Sequence, residues 1–553
     1  MNFDVVFLHP PSVFDFRKRV WFPGQIAKTV RFTPVFTMFP IGLVSIADQL
    51  DRLGYKVKII NLADKMLIDK KFDVEHYIKR IDSRIFGIDL HWCVHSQGAV
   101  EIARICKEHH PNSLVVLGGL TATCFNLELV DQYPFIDAVV RGEGEAPIVK
   151  LVQEWERYEN LSNVPNLTYK RESGEVQINP EALPPKTLDQ FEFTRLDLIE
   201  SSEQLFEVKI GSEMKKVWEI PVCRGCLFNC ITCGGSAYSY RKLMRRIKPA
   251  FRSVERIVDD FKRLDERKIN SVFLFQDVRM AGSHYWKDLF KALHRENWSN
   301  IEHVTMELFY PANSAFISYL SQFRPAGQVT LTISPESGSE NVRKVHGRYY
   351  SNESLLQTVK SCLRYKIPIF LFFMIGLAED NWQTLEETWG LWDKLLRMST
   401  FRRWVGVQFG PMLLLDPGSL AFDIPEAYGY RLRFRNFKDY YNAMLSPSWR
   451  DWMSYETRNL TVEDLTDAIL RSSEEFIKLR HKYGFCTEAV TRSKLLKISL
   501  ERIILEEIED ILRLSDLDEK QRRLRELEEI SKDPLLSYSY VLTHEESERI
   551  NLT

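Results

Sequence analysis

Several things are scarce in this chain of 553 residues, and each scarcity removes a class of function. Net charge is nearly absent: 74 Lys and Arg against 76 Asp and Glu leave −2. Proteins that grip nucleic acid or an anionic membrane by its phosphates carry a basic excess, so no nucleic-acid partner is expected. Cysteines number nine, an odd and clustered set that does not describe a disulfide framework. Free thiols of this kind suit a reducing cytoplasm. Long apolar runs are missing too. The most apolar stretch, Ile369 to Leu377, is about half of what a bilayer-spanning helix needs, so it reads as a buried strand and no transmembrane segment is expected. The opening residues show no basic segment followed by a long apolar run, and no secretory signal is expected. What remains is a chain with 44% hydrophobic residues and room for two to four domains.

Against that background the cysteines at 223–233 stand out: Val-Cys-Arg-Gly-Cys-Leu-Phe-Asn-Cys-Ile-Thr-Cys-Gly-Gly-Ser. Cys226, Cys230 and Cys233 are spaced by four and three, which fits an iron–sulfur cluster held by three corners with one iron left open. Cys223 keeps two other readings alive, a zinc site or a fully ligated electron-transfer cluster. Four cysteines inside eleven residues are tight for tetrahedral zinc, whose ligand pairs usually sit on two separated turns. The motif resembles the radical S-adenosylmethionine (SAM) superfamily. The resemblance implies that the open iron takes the amino and carboxylate groups of SAM, and that an electron then cleaves SAM to a 5′-deoxyadenosyl radical. Thr232 departs from that family's pattern, where an aromatic residue precedes the last cysteine. Cys223 is then a nearby non-ligand thiol.

The first third alternates strand and helix. Residues 4–8 form an apolar run stopped by His9-Pro10-Pro11, and helical spacing follows over Pro40 to Leu53. Strands are expected at Val57–Ile60, Ile85–Ile88, Leu114–Leu117 and Ile136–Val140, with a helix over Ala99–His109. This pattern predicts a doubly wound parallel sheet whose ligand lies at the carboxyl ends of the strands. Three of those ends carry Pro-Pro, Gly118-Gly119 and Gly142-Glu143-Gly144. In order and spacing the pieces His9-Pro10-Pro11, Phe39-Pro40-Ile41-Gly42-Leu43, Leu117-Gly118-Gly119 and Arg141-Gly142-Glu143-Gly144-Glu145 resemble the cobalamin-binding, Rossmann-like domain that precedes the radical SAM domain in one large subfamily. That implies cobalamin-binding roles for His9, Pro10, Gly42, His91, Trp92, Gly118, Gly119, Gly142, Glu143, Gly144 and Glu145. No Asp-x-His-x-x-Gly motif follows the first strand, so a cobalamin without a protein histidine ligand is expected; for His91 a satisfied loop histidine is the competing reading. Cys93, Cys106 and Cys124 admit a rival, the three-cysteine second cluster of RNA methylthiotransferases, although free cysteines are more often small core residues.

Residues 163–216 read as a bridge with a Pro-Pro linker at 184–185. Strands are then expected at 217–222, 271–275, 304–308, 329–333, 369–374 and 405–409, separated by helices. This is a partial (β/α) TIM-type barrel, with its chemistry at the carboxyl ends of the strands. By resemblance, Glu336 and Ser337 meet the ribose and methionine carboxylate of SAM. Gln276 and Asp277 stand where the methionine amino group is held, and Gly376 lies where the backbone passes the adenine. Tyr428 to Tyr455 is dense in aromatics and fits either a substrate chamber or the packing of a lid. Thr491 to Lys532 reads as a charged amphipathic helix or helix pair.

The domain plan is therefore 1–160 cobalamin-binding, 161–212 bridge, 213–420 radical SAM barrel and 421–553 helical. The resemblance implies three cofactors: a 4Fe–4S cluster, SAM and cobalamin. It implies an enzyme that methylates an unactivated carbon, fed by a flavodoxin- or ferredoxin-type electron donor. Radical chemistry without methyl transfer (ring formation, ring contraction or carbon–carbon coupling) is the alternative. The substrate class stays open among small molecule, lipid and peptide, and no individual catalytic residue is named.

Overall fold

Val5 to Leu8 is apolar on both faces of a strand, and a strand buried on both faces belongs in the middle of a parallel sheet. The computed structural model, which describes residues 2–22, 24, 40–158, 160–171, 173–201, 207–210, 213–399 and 404–531, puts it there. Strand β1 (Asn2–His9) lies between β2 (Val57–Asn61) and β3 (Asp82–Asp89), and β4 (Leu114–Gly118) and β5 (Ala138–Val140) follow, all parallel. The order 2-1-3-4-5 reverses direction at the β1/β3 pair, which makes the carboxyl ends of those strands the ligand crevice. The sheet continues beyond residue 160. β6 (Leu167–Lys170) and β7 (Val176–Ile178) add antiparallel to β5, so the first part of the expected bridge is sheet. The physical reason is edge protection: β5 is only three residues long and its outer side has to be covered. Phe39 and Lys532 lie outside the described residues.

The second sheet runs β16-β15-β14-β13-β12-β9-β8. Its six parallel strands are β9 (Glu213–Pro221), β12 (Ser271–Phe275), β13 (His303–Leu308), β14 (Gln328–Glu336), β15 (Ile369–Ile375) and β16 (Val405–Pro411). β8 (Glu207–Ile210) makes a hairpin with β9, and the short pair β10 (Cys223–Arg224) and β11 (Ala250–Phe251) stands apart. No pairing links β16 to β9, so the barrel is partial. Alternation sorts its side chains. Trp218, Ile220, Val272, Leu274, Val304, Leu331 and Leu371 are buried against the outer helices. The opposite set, Glu219, Phe273, Thr305, Glu307, Phe370 and Phe372, is half-buried, and Met374 is 38% exposed. The lumen is thus open and partly polar. Ser253 caps the helix Val254–Glu266, as its place before the apolar run implies.

The aromatic-rich stretch proves to be packing. Phe434, Phe437, Tyr440 and Trp452 join the core of the first domain with Phe125 and Val130. Tyr441 Oη donates to Glu101 at 2.8 Å, and Glu128 accepts Phe437 N–H at 2.8 Å. The strands β17 (Tyr430–Leu432) and β18 (Tyr455–Thr457) form a small hairpin. The described residues end in a helix pair, Glu488–Leu512 and Leu517–Ser531, preceded by Val462–Lys482.

Candidate functional site

The cysteine loop leaves the carboxyl end of β9. It is held from outside by atoms far along the chain: Ile231 N–H donates to His346 O at 3.1 Å, Ala421 N–H to Ile231 O at 2.8 Å, and Gly234 N–H to Asp416 Oδ2 at 2.8 Å. Gly347 has φ +95°, and a Cβ there would stand 2.6 Å from Asn229 O and 3.4 Å from Cys230 Cα. Only glycine lets that backbone press so closely on the loop. Cys226 and Cys230 are half-buried and Cys233 is exposed, whereas Cys223 is buried with Sγ toward Gly225 O at 3.7 Å. Phe228 N–H donates to Cys226 Sγ at 3.4 Å and Gly235 N–H to Cys233 Sγ at 3.3 Å. Backbone donors of this kind stabilise cluster-bound thiolates. Burial pushes the Cys226 thiol up to about 11; burial also raises Cys230, with the Arg348 charge pulling the other way.

Beside this loop the strand ends form a rim of unsatisfied polar atoms. Arg348 Nη2 donates to Glu336 Oε1 at 2.8 Å. Glu336 Oε2, Arg348 Nε, Tyr350 Oη, His346 Nδ1 and Gln276 Oε1 are buried without a hydrogen-bond partner. Buried polar groups are normally paired, so such a gathering marks the seat of a polar ligand. Glu336 and Gln276 also hold positive φ, +70° and +75°, a conformation rare for such residues and concentrated at functional sites. The β14–β15 register shifts at Glu336. The other three expected SAM residues are already committed. Asp277 takes Arg279 Nε at 2.8 Å, Arg279 Nη2 at 2.6 Å and Phe309 N–H at 2.8 Å. Ser337 Oγ meets Thr388 Oγ1 at 3.2 Å and accepts Ser339 N–H at 3.1 Å. Gly376 gives its N–H to Asp380 Oδ2 at 2.9 Å, and its carbonyl accepts Tyr455 Oη–H at 2.8 Å. These three are engaged in the wall of the rim, whereas Glu336 and Gln276 carry its unpartnered oxygens.

On the first sheet, His9 closes β1 and Asp89 closes β3, joined at 2.9 Å through Nδ1 and Oδ2. His9 is 1% exposed, sits edge-on to His95 at 5.1 Å between ring centroids, and leaves Nε2 unpartnered. The next loop carries Leu90, His91 and Trp92. Gly119 (φ +113°) lies under it: a Cβ there would stand 2.6 Å from His91 Cα. Leu90 N–H to Gly118 O at 2.8 Å and Thr121 N–H to His91 O at 3.1 Å fasten the two loops together. Trp92 Nε1 is buried without a partner, and burial pulls the His91 pKa down, which keeps its ring neutral. Pro10, Gly42 and Gly118 lie on or beside the same edge of the sheet. Gly142 N–H is taken by Thr123 Oγ1 at 2.9 Å, and Gly144 packs on Ile46.

Glu143 and Glu145 do something that sequence reading missed. Glu145 Oε1 accepts Arg224 Nη2 at 2.6 Å, and Glu143 Oε2 accepts Arg224 Nη1 at 2.9 Å. Both carboxylates expected on the corrinoid are thus spent on the cysteine loop. Arg348, Gly347 and Asp416 were missed as well, being distant in sequence from what they touch. So were the lumen carboxylates Glu219 and Glu307, although period-two alternation in Val-Trp-Glu-Ile-Pro and His-Val-Thr-Met-Glu-Leu marks both. The rival three-cysteine reading gains no support, and the expected core role fits: Cys93 and Cys106 are buried, Cys106 fully so in the helix Ser96–His109.

Two family models match this architecture, the Radical SAM superfamily over residues 220–390 and the B12 binding domain over 27–152. This chain belongs to the cobalamin-binding radical SAM proteins. Its cofactors are a 4Fe–4S cluster, SAM and cobalamin, and it is an enzyme. An uncharacterized methyltransferase of Pyrococcus horikoshii is 26% identical over 357 residues, covering 63% of this chain and 72% of the relative. The hopanoid C-3 methylase of Methylococcus capsulatus is 25% identical over 272 residues, 48% of this chain and 47% of the methylase. In fold, the chain is similar to the methyltransferase TsrM of Kitasatospora setae, solved with cobalamin and a 4Fe–4S cluster bound: TM-score 0.59, 14% identity, 96% and 99% of the two chains. No described helix is long and apolar enough to cross a membrane.

Proposed function

We propose that this radical SAM protein is a cobalamin-dependent methyltransferase acting on an unactivated carbon. The observation that carries the reading is that the cysteine loop and the strand-end rim of the first sheet are bolted together by Arg224, Glu143 and Glu145. A methyl carrier and a radical source have to share one chamber if both act on one carbon. The two similar proteins named as methyltransferase and methylase point the same way.

The three cofactors supply one-electron reduction, hydrogen abstraction and a methyl carrier; the protein supplies position and electrostatics. Cys226, Cys230 and Cys233 would hold three irons, with Phe228 and Gly235 N–H groups steadying two of the thiolates. Glu336 Oε2 offers an acceptor for sugar hydroxyls; burial raises the pKa of this carboxyl, and the Arg348 charge pulls the other way. Gln276 Oε1 offers a second acceptor. His9, Asp89, His91, Trp92 and Gly119 would bear the corrinoid at the β1/β3 crevice, with the His9–Asp89 bond fixing the imidazole. The half-open lumen, with Glu219, Glu307 and three phenylalanines, is where a substrate of mixed polarity fits. An electron donor of flavodoxin or ferredoxin type and a cytoplasmic setting complete the proposal.

Anaerobic turnover of reduced holoprotein with SAM and candidate lipid, peptide or small-molecule pools tests it. S-adenosylhomocysteine and 5′-deoxyadenosine should form together. If only 5′-deoxyadenosine appears, the enzyme performs radical chemistry without methyl transfer and the proposal fails.

A further inference from the structure

The ion network between the two domains is built where water is nearly shut out. Glu145 Oε1 takes Arg224 Nη2 at 2.6 Å and Ser45 Oγ at 2.8 Å. Glu143 takes Arg224 Nη1 at 2.9 Å on one oxygen and Arg246 Nε at 2.6 Å on the other. Arg246 Nη1 continues to Pro185 O at 3.0 Å, and the Arg224 guanidinium lies 5.7 Å from the Phe191 ring centre. The side chains of Glu143, Glu145 and Arg246 are 8%, 3% and 3% exposed. Five segments meet here: the helix Ile41–Arg52, the stretch after β5, the bridge, the cysteine loop and the stretch after the helix Ala237–Met244.

A buried ion network is a poor adhesive, because desolvation cancels most of its Coulombic gain; its best-attested use is to fix register. Adhesion is provided elsewhere, by Phe434, Phe437, Tyr440 and Trp452 packed on the first domain. What the network does fix is the separation of two particular loops. Arg224 stands two residues before Cys226, and Glu143 and Glu145 stand at the rim of the first sheet. Arg224 grips Glu145 with both terminal nitrogens, Nη2 to Oε1 at 2.6 Å and Nη1 to Oε2 at 3.1 Å, and shares Nη1 with Glu143, so the planar fork sets direction as well as distance.

We propose that Arg224 is a positioning residue that holds the iron–sulfur cluster at one fixed distance and orientation from the corrinoid. This rests on the two cofactors and not on methyl transfer. The test is the dipolar coupling between cob(II)alamin and the reduced cluster, both paramagnetic, measured by pulsed electron paramagnetic resonance on full-length holoprotein. The native protein should give one narrow distance distribution. Arg224→Gln should widen it about twofold or more at unchanged iron and cobalt content, and Arg224→Lys, which keeps the charge but not the fork, should fall between. A Glu143→Gln/Glu145→Gln double variant should reproduce the widening from the other side. An equally narrow distribution in all variants overturns the proposal. So does loss of metal in every variant with the surviving pairs still narrow, since that is the mark of a merely structural bond. The result stands or falls whether or not S-adenosylhomocysteine is ever formed.

Discussion

Arg348 and Glu336 meet at 2.8 Å through one carboxylate oxygen, and the other oxygen is left buried and unpaired. The two residues come from the loop after the helix Glu340–His346 and from the end of β14, twelve positions apart. The bond places a cation near Cys230 and keeps an acceptor poised at the rim of the cysteine loop.

Glu336→Gln follows from it. Glutamine still accepts from Arg348, so the fold should survive, but the charged acceptor is gone. Hydrogen bonds to charged groups are worth about 1.5–3 kcal/mol, so SAM affinity should fall about 10- to 100-fold. The SAM-induced change in the electron paramagnetic resonance spectrum of the reduced cluster, titrated with SAM, reads it. An unchanged titration midpoint would remove Glu336 from the SAM site.

The two cofactor cradles should fail separately. Gly347→Ala adds a Cβ against Asn229 O at a positive φ. Iron per chain should drop by about half or more while cobalamin is retained.

Gly119→Ala is the mirror case. Its Cβ meets the His91 backbone. Cobalamin per chain should drop by about half or more while iron is retained. If either variant loses both cofactors equally, the cradles are not independent.

Glu219 gives a pH signature. Burial and the neighbouring Glu307 charge raise its pKa to about 7, from an ordinary 4.5. The folded chain therefore keeps a proton that the unfolded chain gives up. This group's contribution is fullest below about pH 4.5, is lost as pH rises towards 7, and is flat beyond. Glu219→Gln cannot ionise. It should be more stable than the native protein at pH 8 by about 2–3 kcal/mol and nearly equal to it at pH 5, in urea unfolding at the two values. Equal stability at both would mean that Glu219 is not held in its protonated form.

Much of this was legible in the chain. Val-Val-Phe-Leu is apolar throughout because β1 is covered on both faces, and a run of that kind reads correctly without a partner. The cysteine spacing is local, and so is the Ser253 cap. What could not be read depends on pairs that only the fold creates. Arg224 lies 79 and 81 positions from Glu145 and Glu143. A charge run such as Arg-Gly-Glu-Gly-Glu looks the same whether it faces a ligand or another domain. β6 and β7 escaped because strands of four and three residues carry little pattern of their own; they exist because β5 has an edge to cover. The aromatics at 428–455 fit lining as well as the commoner packing role by sequence, and Phe125 against Phe437 and Tyr440 shows packing on the first domain.

The account turns on an iron–sulfur cluster and a corrinoid in one chain, and metal analysis of anaerobically purified, reconstituted protein with its ultraviolet–visible spectrum tests that most directly. About four iron and one cobalt per chain are expected, with iron falling away in Cys226→Ala while cobalt stays. Zinc in place of iron, or a chain that retains no corrinoid, would contradict it.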